Sequence, residues 1–564
     1  MPEPDDDDTI LLSVAETIIL PAQAQAAVPR PRAGKGGRER PAPAARHGRS
    51  RRRRTMISRL SLLAILAVQA ALTLRLRNTA FEDEALYLYA GRLEIEHLLH
   101  GAGLQGLYVP DFSGSPVLYP VVAAALNAVG GLALARALSL AEMLAVTAML
   151  YAISRFLFNE RAALIAAALY AVTAPVLFVG NLATYDATCL FLLAAATTIV
   201  VRTSASRRPV FMLAAPLAAL AVAVKYAGAL FLPTICVLLA LAAWPRLGRR
   251  ALWRPAWFCA AVVVLIEIGL RVGGRAYSSG IAATTTERAQ GGTSVPTIAV
   301  ESAAWGGGIA VLAIIGAVAY ACRARLEAGE STVKAGGWRR RAMLGAVLAG
   351  TVFLAPLYQM HLHTDVSLQK HIGFGMFFAA PMAGVGLARI VGDHFRRPQL
   401  GIAAWCTALA LGLGQSWVLF HAWPSSVPFV SAFSRYLEPG ADYLVEVPEV
   451  PTYYLEGKPD ATPTQFWSTF AITYTEKNGH TVWGPAGFEA AVGQGAFRTI
   501  ALSGTVTPAA DAVIERAIAS SGLYRLAAVV PLRDSYGPLT YRIWVRRSAP
   551  GRPARGVNGS LSRV

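Results

Sequence analysis

Residues 57–84 have the sequence ISRLSLLAILAVQAALTLRLRNTAFEDE, an apolar stretch that ends in three consecutive carboxylates, Glu82, Asp83 and Glu84. About twenty apolar residues are enough to cross a bilayer as a helix, so the stretch predicts a first membrane span from about Ile57 to Leu76. The acids then stand where the chain leaves the membrane. Because clustered carboxylates repel one another and anionic lipid headgroups, three adjacent acids favour a functional role for at least one of them.

The composition of the whole chain is that of a polytopic membrane protein. Of its 564 residues, 54% are hydrophobic and only 15% are charged, and the mean hydropathy is +0.44. These values are more apolar than those of a soluble globular protein. The formal net charge of +18 is also found in nucleic-acid-binding proteins, but here most Arg and Lys residues lie in short segments between apolar stretches. Such segments indicate membrane topology and not a nucleic-acid partner.

Apolar stretches of roughly twenty residues predict about eleven spans, an all-α membrane domain over residues 56–421. The basic run Arg51 to Arg54 precedes the first span, and each later inside segment again has an excess of arginine. This pattern places the N-terminus in the cytoplasm and the C-terminus outside, in a multi-pass protein of the plasma membrane. The three acids and the loop of residues 78–131 are then on the outer face.

Polar regions flank the predicted membrane domain. Residues 1–55 are rich in Pro, Ala, Gly and Arg and predict a disordered, basic, cytoplasmic tail, while Met56 is a candidate alternative start of translation. Residues 422–547 predict a small mixed α/β domain outside the membrane, and residues 548–564 a second disordered tail. The predicted strands are Tyr443 to Val447, Phe497 to Leu502, Leu523 to Val530 and Leu539 to Val545, with a helix from Ala509 to Ser520.

The three acids open an amphipathic segment, FEDEALYLYAGRLEIEHLLHG, whose apolar residues recur at helical spacing. We expect a helix that lies at the membrane interface. Acids in a first helical turn also compensate the helix dipole, which is the structural alternative to a catalytic role. A second outer-face acid, Asp186, directly precedes the fourth span. It either joins the first three in a site or caps its own helix.

Cations on the predicted outer face oppose the arginine bias and form a candidate anion site. Lys225 lies at the tip of the hairpin between spans five and six, and Arg275 and Arg288 lie in the next outer loop. Lys370 and His371 stand at the predicted N-terminus of the tenth span, where the helix dipole also favours a phosphate. For Lys225 the alternative is a lysine that extends to the membrane surface without binding anything.

A divalent metal ion is the one cofactor that the sequence suggests. His361 and His363 could join Glu84 as ligands. A His-x-His pair is more often interfacial or hydrogen-bonded. The sequence therefore leaves metal dependence open.

Together these motifs resemble the GT-C glycosyltransferases, most closely the protein O-mannosyltransferases and the aminoarabinose transferases that modify lipid A. The resemblance covers about Ile57 to Phe420. It is carried by the Asp-Glu pair after the first span, the Asp before the fourth, the Lys-His before a late span and the outer C-terminal domain. It implies that Asp83 is the catalytic acid and that Glu84 contacts the acceptor or a metal.

By this resemblance the protein is expected to be an enzyme that moves a sugar from a polyprenyl-phosphate donor to a hydroxyl of a glycan, lipid or protein. Asp83 would be the base, and Lys225, Lys370 and His371, with Arg275 and Arg288, would hold the phosphate. Direct displacement predicts inversion at the anomeric carbon. The alternative is a transporter or flippase of a lipid-linked or small anionic solute, whose polar residues would lie at the midplane of repeated segments.

Overall fold

The computed structural model describes residues 44–103, 112–204, 206–284, 290–323, 337–476, 478–547 and 560–562. Contacts divide the chain into Met1–Arg54 and Thr55–Val564, and the description below concerns the second unit. The α-helices of the described residues are α1 (Ala44–Thr73), α2 (Glu82–His100), α3 (Tyr119–Leu157), α4 (Glu160–Ala171), α5 (Ala174–Val179), α6 (Tyr185–Arg202), α7 (Ala214–Val224), α8 (Leu232–Leu247), α9 (Trp253–Thr284), α10 (Val295–Cys322), α11 (Trp338–Gly350), α12 (Leu354–Leu362), α13 (Leu368–Val391), α14 (Pro398–Phe420), α15 (Val427–Phe433), α16 (Glu449–Tyr454), α17 (Gly484–Gly493) and α18 (Pro508–Ser521).

Eight helical segments of the described residues are long and apolar enough to cross a membrane. The predicted fold class, a helical multi-pass membrane protein, is thereby confirmed, although the count is lower than the eleven spans expected. The third expected span is divided between α4 and α5, because Pro175 has no N–H with which to continue the helix. The fifth is represented by the short apolar helix Val210–Val224, and the sixth and seventh fall within one apolar stretch, Tyr226–Gly273.

Helix α2 follows the first span and packs against α3. The α3 segment is two helices joined at Gly130 and Gly131, and Gly131 has φ +65°, a conformation that residues with a Cβ rarely adopt. The kink lies between the part of α3 that packs on α2 and the part that extends through the membrane region. Arg136 stands one turn beyond it and reaches back to the start of α2.

The C-terminal region is a small α/β structure, as the sequence predicted. Its main sheet has the order β2-β1-β5-β7-β6, in which β1 is parallel to both β2 and β5 while β7 is antiparallel to β5 and β6. The strands are β1 (Tyr443–Val445), β2 (Phe466–Ser468), β3 (Thr473–Thr475), β4 (Thr481–Trp483), β5 (Thr499–Leu502), β6 (Tyr524–Arg533), β7 (Pro538–Arg546) and β8 (Ser560–Ser562). The four predicted strands match β1, β5, β6 and β7, and the predicted helix matches α18.

Both predicted disordered tails need correction where the structure describes them. Helix α1 begins at Ala44, so the last part of residues 1–55 is helical, while residues 1–43 lie outside the described residues. In the C-terminal tail, β8 pairs antiparallel with β3 and completes a three-stranded sheet. The remainder of residues 548–564 also lies outside the described residues.

Candidate active site

The three adjacent acids occupy the first turn of α2, and their side chains reach three different environments. Successive residues of a helix are rotated by about 100°, so neighbours in sequence face different parts of the surroundings. Glu82 lines a cavity beside the C-terminal region, Asp83 lines a larger cavity among the helices, and Glu84 is completely buried. The acids therefore cannot share one role.

Glu84 is an internal anchor. Its Oε1 accepts hydrogen bonds from Arg136 Nε at 2.8 Å and from the Ala183 amide at 2.8 Å. Its Oε2 accepts from Arg136 Nη2 at 2.6 Å and from the Phe81 amide at 2.9 Å. Arg136 also donates to the carbonyl groups of Asn78 and Thr79. With two donors on each oxygen, Glu84 holds α2, α3 and the loop before α6 together, so the expectation that it contacts acceptor or metal is corrected to a positioning role.

The suggested metal site is not assembled. Among the described residues, no three His, Cys, Asp or Glu side chains form a cluster that could hold a metal ion. Glu84 is committed to Arg136, and His361 and His363 have exposed side chains at the end of α12. These residues do not fit a metal, and no step of the chemistry below passes through one.

A cavity of about 650 Å³ brings together five of the residues predicted to form the site. They are Asp83, Asp186, Lys225, Lys370 and His371. Asp83 Oδ2 lies 2.5 Å from Lys370 Nζ, and Asp186 pairs with Lys225. Two pairs of opposite charge thus form where four elements meet: α2, α6, the α7–α8 junction and α13. The residues of the cavity are far apart in sequence, by 288 positions from Asp83 to His371.

Lys225 is a buried ion-pair partner and not a lysine that extends to the membrane surface. Its side chain is 4% exposed, and its backbone leaves α7 in an extended conformation. The ammonium lies 5.0 Å from the centre of the Tyr185 ring. Asp186 also accepts a hydrogen bond from Thr184 Oγ1 at 3.0 Å, so the capping alternative for Asp186 is replaced by a contact with Lys225.

Asp83 has an oxygen available for chemistry. Its side chain is 29% exposed, whereas that of Lys370 is 4% exposed. Lys370 occupies Oδ2, and in the part of the chain that the structure describes no hydrogen bond is made to Oδ1. His371 Nδ1 lies 3.3 Å from Gln359 Nε2, a contact that orients the imidazole ring in the cavity. The cavity therefore holds a carboxylate oxygen that can accept a proton and donors that can receive an anion.

Tyrosine side chains line the same cavity and were missed by the sequence analysis. Tyr87 follows Asp83 by four residues, the spacing that places two side chains on one helix face, and this spacing was the signal that could have found it. Its ring stacks on that of Tyr185 with centroids 4.5 Å apart. Burial, and next the charge of Asp83, hold the pKa of Tyr87 well above its ordinary value. Tyr87 therefore stays neutral and shapes the wall beside Asp83.

A short loop, Phe112 to Ser115, fixes the position of Lys225. The amide of Ser115 donates to the Ala223 carbonyl at 2.8 Å, and the amide of Tyr226 donates to the Ser113 carbonyl at 2.9 Å. Gly114 lies between these bonds, and a Cβ there would be 1.9 Å from the Val224 carbonyl oxygen. Only glycine allows this approach, and the resulting contact holds the backbone on both sides of Lys225.

An apolar groove of about 750 Å³ adjoins the cavity. It is lined mainly by α2, α7 and α9, and Tyr226 belongs to both the groove and the cavity. Leu98, Leu220 and Val272 are among the exposed apolar side chains along it. The groove thus connects a surface made of membrane-region helices to the charged residues.

The two arginines expected to bind phosphate are not tested by this geometry. Arg275 belongs to α9, but its side chain is not described, and Arg288 lies outside the described residues. Their contribution to an anion site stays a prediction.

Comparison with known proteins shows that part of the chain is similar to one protein family. Residues 115–269 match the family described as dolichyl-phosphate-mannose-protein mannosyltransferase. This range includes Asp186 and Lys225. The match confirms the resemblance to membrane mannosyltransferases of the GT-C type. No curated protein sequence matches the chain.

Two solved structures are partly similar to this chain. Archaeal oligosaccharyltransferase AglB from Archaeoglobus fulgidus, in complex with an inhibitory peptide and a dolichol-phosphate, has 12% identity and a TM-score of 0.49, over 89% of this chain and 75% of that one. ArnT from Cupriavidus metallidurans, bound to undecaprenyl phosphate, has 14% identity and a TM-score of 0.41, over 85% of this chain and 97% of that one. At this level of similarity neither structure assigns a role to a residue of this chain.

Proposed function

We propose that this protein, similar over residues 115–269 to the membrane mannosyltransferases, transfers a sugar from a polyprenyl-phosphate donor to an acceptor hydroxyl outside the membrane. The observation that carries the proposal is the contact between Asp83 and Lys370 in the cavity that also contains Lys225. A base and two cations in one cavity match the two requirements of the reaction. These are removal of the acceptor proton and stabilisation of the departing phosphate.

The reaction is a single displacement. The acceptor O–H gives its proton to Asp83 Oδ1, the acceptor oxygen forms a bond to the anomeric carbon, and the bond from that carbon to the phosphate oxygen breaks. The electron pair of the broken bond stays on the polyprenyl phosphate. Attack opposite to the leaving group inverts the anomeric configuration. A positioned base contributes about 10²- to 10⁴-fold to such a rate.

The phosphate is placed between the two lysines. In the absence of an anion each ammonium has a carboxylate partner, so the buried charges are balanced. A phosphate that enters the cavity can contact Lys225, Lys370 and His371 while Asp83 turns to the acceptor. Charge-assisted hydrogen bonds of this kind are roughly twice as strong as neutral ones. The enzyme thus exchanges an internal ion pair for a contact with the donor.

The apolar groove supplies a place for the polyprenyl chain. It is lined by exposed apolar side chains such as Leu98, Leu220 and Val272, and it shares Tyr226 with the cavity. A donor whose tail lies there needs no exit from the bilayer to present its phosphate. This arrangement explains why a sugar transfer would be carried out by so large a membrane domain.

The test is turnover of a panel of polyprenyl-phosphate sugars by the purified protein and by Asp83→Asn. We expect loss of at least about 100-fold in turnover with donor binding largely kept, because Lys225 and Lys370 remain. Glu96→Gln is the matched control, since Glu96 is an exposed acid on the same helix, and it should behave as wild type.

Three results would contradict the proposal. One is wild-type turnover by Asp83→Asn, and another is a product with retained configuration, which rules out single displacement. The third is movement of a polyprenyl-phosphate sugar across sealed vesicles without transfer, which would favour the flippase alternative.

A further inference from the structure

A second cavity, of about 250 Å³, lies between the start of α2 and the C-terminal sheet. Its polar side chains include Glu82, Asp534 and Thr505, and its aromatic side chains include Phe81, Trp423 and Tyr541. Lysine, arginine and histidine are absent among the described residues that line it. The cavity is therefore chemically unlike the one that Asp83 faces, which contains two lysines paired with two aspartates.

The position of this cavity in the C-terminal sheet is one at which ligands bind. Strand β1 is parallel to β2 on one side and to β5 on the other, so the chain connections diverge at the carboxyl ends of β1 and β5. In open α/β sheets ligands occupy the crevice at such a switch point. Val447 follows β1, Thr505 and Val506 follow β5, and all three line the cavity.

The loop after β5 is rigidly held before any ligand arrives. The buried carboxylate of Glu446 accepts hydrogen bonds from the amides of Ser503, Thr505, Val506 and Thr507 at 2.6 to 3.1 Å. A loop fixed in this way loses little conformational freedom when a ligand binds. The cavity wall is thus preorganised.

The second cavity is adjacent to the proposed reacting centre. Glu82 and Asp83 are consecutive residues, one in each cavity. The Phe81 ring lines the second cavity 5.0 Å from the Trp423 ring, and Lys370 Nζ lies 5.4 Å from the centre of the Phe81 ring. The Phe81 ring therefore lines the second cavity and also lies beside Lys370, the ion-pair partner of Asp83.

The side chains define the chemistry of the occupant. Two carboxylates without a cation repel phosphates and other anions, while they accept hydrogen bonds from hydroxyl groups. Aromatic faces favour contact with the C–H surface of a ring. Burial, and next the charge of Asp83, raise the pKa of Glu82 to about 7, so near neutral pH this side chain both donates and accepts hydrogen bonds. The volume is below that of a drug-sized pocket and suits one ring.

We propose that this cavity binds a terminal sugar ring of the acceptor, an uncharged group that carries hydroxyls, and delivers it to the neighbouring Asp83. The assignment of the bound group as acceptor rests on the proposed function. Binding of a sugar ring at this site can be measured without it.

The experiment fills the cavity with a larger side chain. Val506→Trp places an indole in it, and Val529→Trp is the control, because Val529 is on β6, is 55% exposed and does not line the cavity. Binding of a panel of methyl glycosides to the full-length protein in nanodiscs is measured by calorimetry. We expect wild type and Val529→Trp to bind at least one glycoside, and Val506→Trp to lose at least tenfold in affinity. Glu82→Ala, which leaves the β5 loop intact, should also weaken binding.

Turnover separates this inference from the proposed function. When the bound glycoside is used as acceptor, Val506→Trp should raise the KM for that glycoside at least tenfold. Hydrolysis of the lipid donor by water should continue at the wild-type rate. Wild-type transfer by Val506→Trp, or no binding of any glycoside to the wild type, overturns the inference and leaves the function of Asp83 intact. A third outcome is that the wild type binds a glycoside, Val506→Trp abolishes this binding, and the protein turns over no lipid donor. That outcome supports the sugar site and contradicts the proposed transferase function.

Discussion

At the scale of single residues, the motif Glu82-Asp83-Glu84 shows how one helical turn serves three environments. Asp83 contacts Lys370, Glu84 contacts Arg136 and Glu82 faces the C-terminal region. The amides that bind Glu84 come from Phe81 and from Ala183, which precedes α6. The position of Asp83 in the cavity therefore depends on its neighbour Glu84, although Glu84 does not line the cavity.

Glu84→Gln tests this dependence. The substitution leaves the Arg136 guanidinium buried without its counter-charge, and loss of one partner of a buried pair costs about 3–5 kcal/mol. We expect a clear drop in the thermal unfolding midpoint of the purified protein. Glu96→Gln removes an acid from an exposed pair on the same helix and should change stability by less than about 1 kcal/mol. An unchanged midpoint for Glu84→Gln would show that the contact with Arg136 is not structural.

The sequence could identify the acids but could not separate their roles. Charge beside a membrane marked Asp83, Asp186, Lys225 and Lys370 as candidates, and the structure brings all four into one cavity. The pairing of Arg136 with Glu84 gave no signal in the sequence, because the two residues are 52 positions apart and no local pattern specifies that distance. The sequence also suggested a metal role for Glu84, because the groups that donate its four hydrogen bonds are distant in sequence or belong to the backbone. A local pattern does not reveal such donors.

At the scale of elements, the loop Phe112 to Ser115 links the segment between α2 and α3 to Lys225. Its hydrogen bonds to Ala223 and Tyr226 flank Lys225, so the position of this ammonium is set by a loop about 110 residues earlier in the chain. Backbone contacts of this kind leave a weak sequence signal, a single glycine.

Gly114→Ala tests the link. The new Cβ would meet the Val224 carbonyl oxygen at 1.9 Å, and overpacking of this kind costs about 1–3 kcal/mol. Displacement of the backbone beside Lys225 should weaken binding of polyprenyl phosphate by about tenfold or more, as measured by calorimetry. Gly103→Ala is the matched control, since a Cβ there has nothing within 4 Å. If the two variants bind polyprenyl phosphate with equal affinity, the loop does not set the position of the anion site.

A pair of acids controls the loop after β5. Glu446 and Asp511 are buried side by side, and Asp511 accepts hydrogen bonds from the Gly504 amide and the Thr507 hydroxyl. Burial, and next the charge of Glu446, raise the pKa of Asp511 to about 7. Burial opposes ionisation of Glu446, but hydrogen bonds from Ser503, Val506 and Thr507 lower its pKa below the ordinary value. These opposite shifts favour a proton on Asp511 over one on Glu446.

The pH dependence of this loop follows from the sign of the Asp511 shift. A pKa raised in the folded state gives a stabilisation that is complete below the ordinary pKa of 3.8 and is lost as the pH rises to about 7. Glu446 has the opposite sign, and its contribution is lost only as the pH falls below 4.5. Between pH 5 and 8 the loop should therefore loosen as the pH rises, roughly within the range set by these pKa values.

Asp511→Asn should remove this change, because an amide resembles the protonated acid. Hydrogen exchange of peptides that cover residues 499–511 is compared between wild type and variant at each pH, so that the intrinsic pH dependence of exchange cancels. We expect the two proteins to agree near pH 5 and the wild type to exchange faster near pH 8. Glu82 also titrates near 7, but it is present in both proteins. If wild type and Asp511→Asn exchange at the same rate at every pH, protonation of Asp511 does not control the loop.

Element boundaries were predicted well where periodicity is uninterrupted and poorly where it is broken. Strands β5, β6 and β7 and helix α18 agree with the pattern of the sequence within a few residues. Strands β2, β3, β4 and β8 have three residues each, too few for alternation to show. Strand β1 is as short, but it lies within the longer predicted strand Tyr443 to Val447. The division of α4 from α5 depends on one proline, which a hydropathy average over twenty residues conceals.

At the scale of the whole molecule, α2 contributes to two cavities of different chemistry. The larger contains two lysine–aspartate pairs and shares Tyr226 with an apolar groove, and the smaller is acidic and adjoins the C-terminal sheet. A lipid-linked anion and a neutral polar group can therefore approach the same residue from different sides. This arrangement works only if the C-terminal region and the cavities are on the side of the membrane where the acceptor is found.

That orientation is a prediction from the arginine-rich segments, and accessibility of single cysteines tests it. The five native cysteines are free thiols and none is in the C-terminal region, so a cysteine-free background is the starting point. Tyr536→Cys, at a 77% exposed position, should react with a membrane-impermeant maleimide in intact cells. Arg207→Cys, exposed just beyond α6, should react only after permeabilisation, because arginines in short loops are retained in the cytoplasm. The reverse pattern would place both cavities inside the cell, where an extracytoplasmic hydroxyl could not reach Asp83.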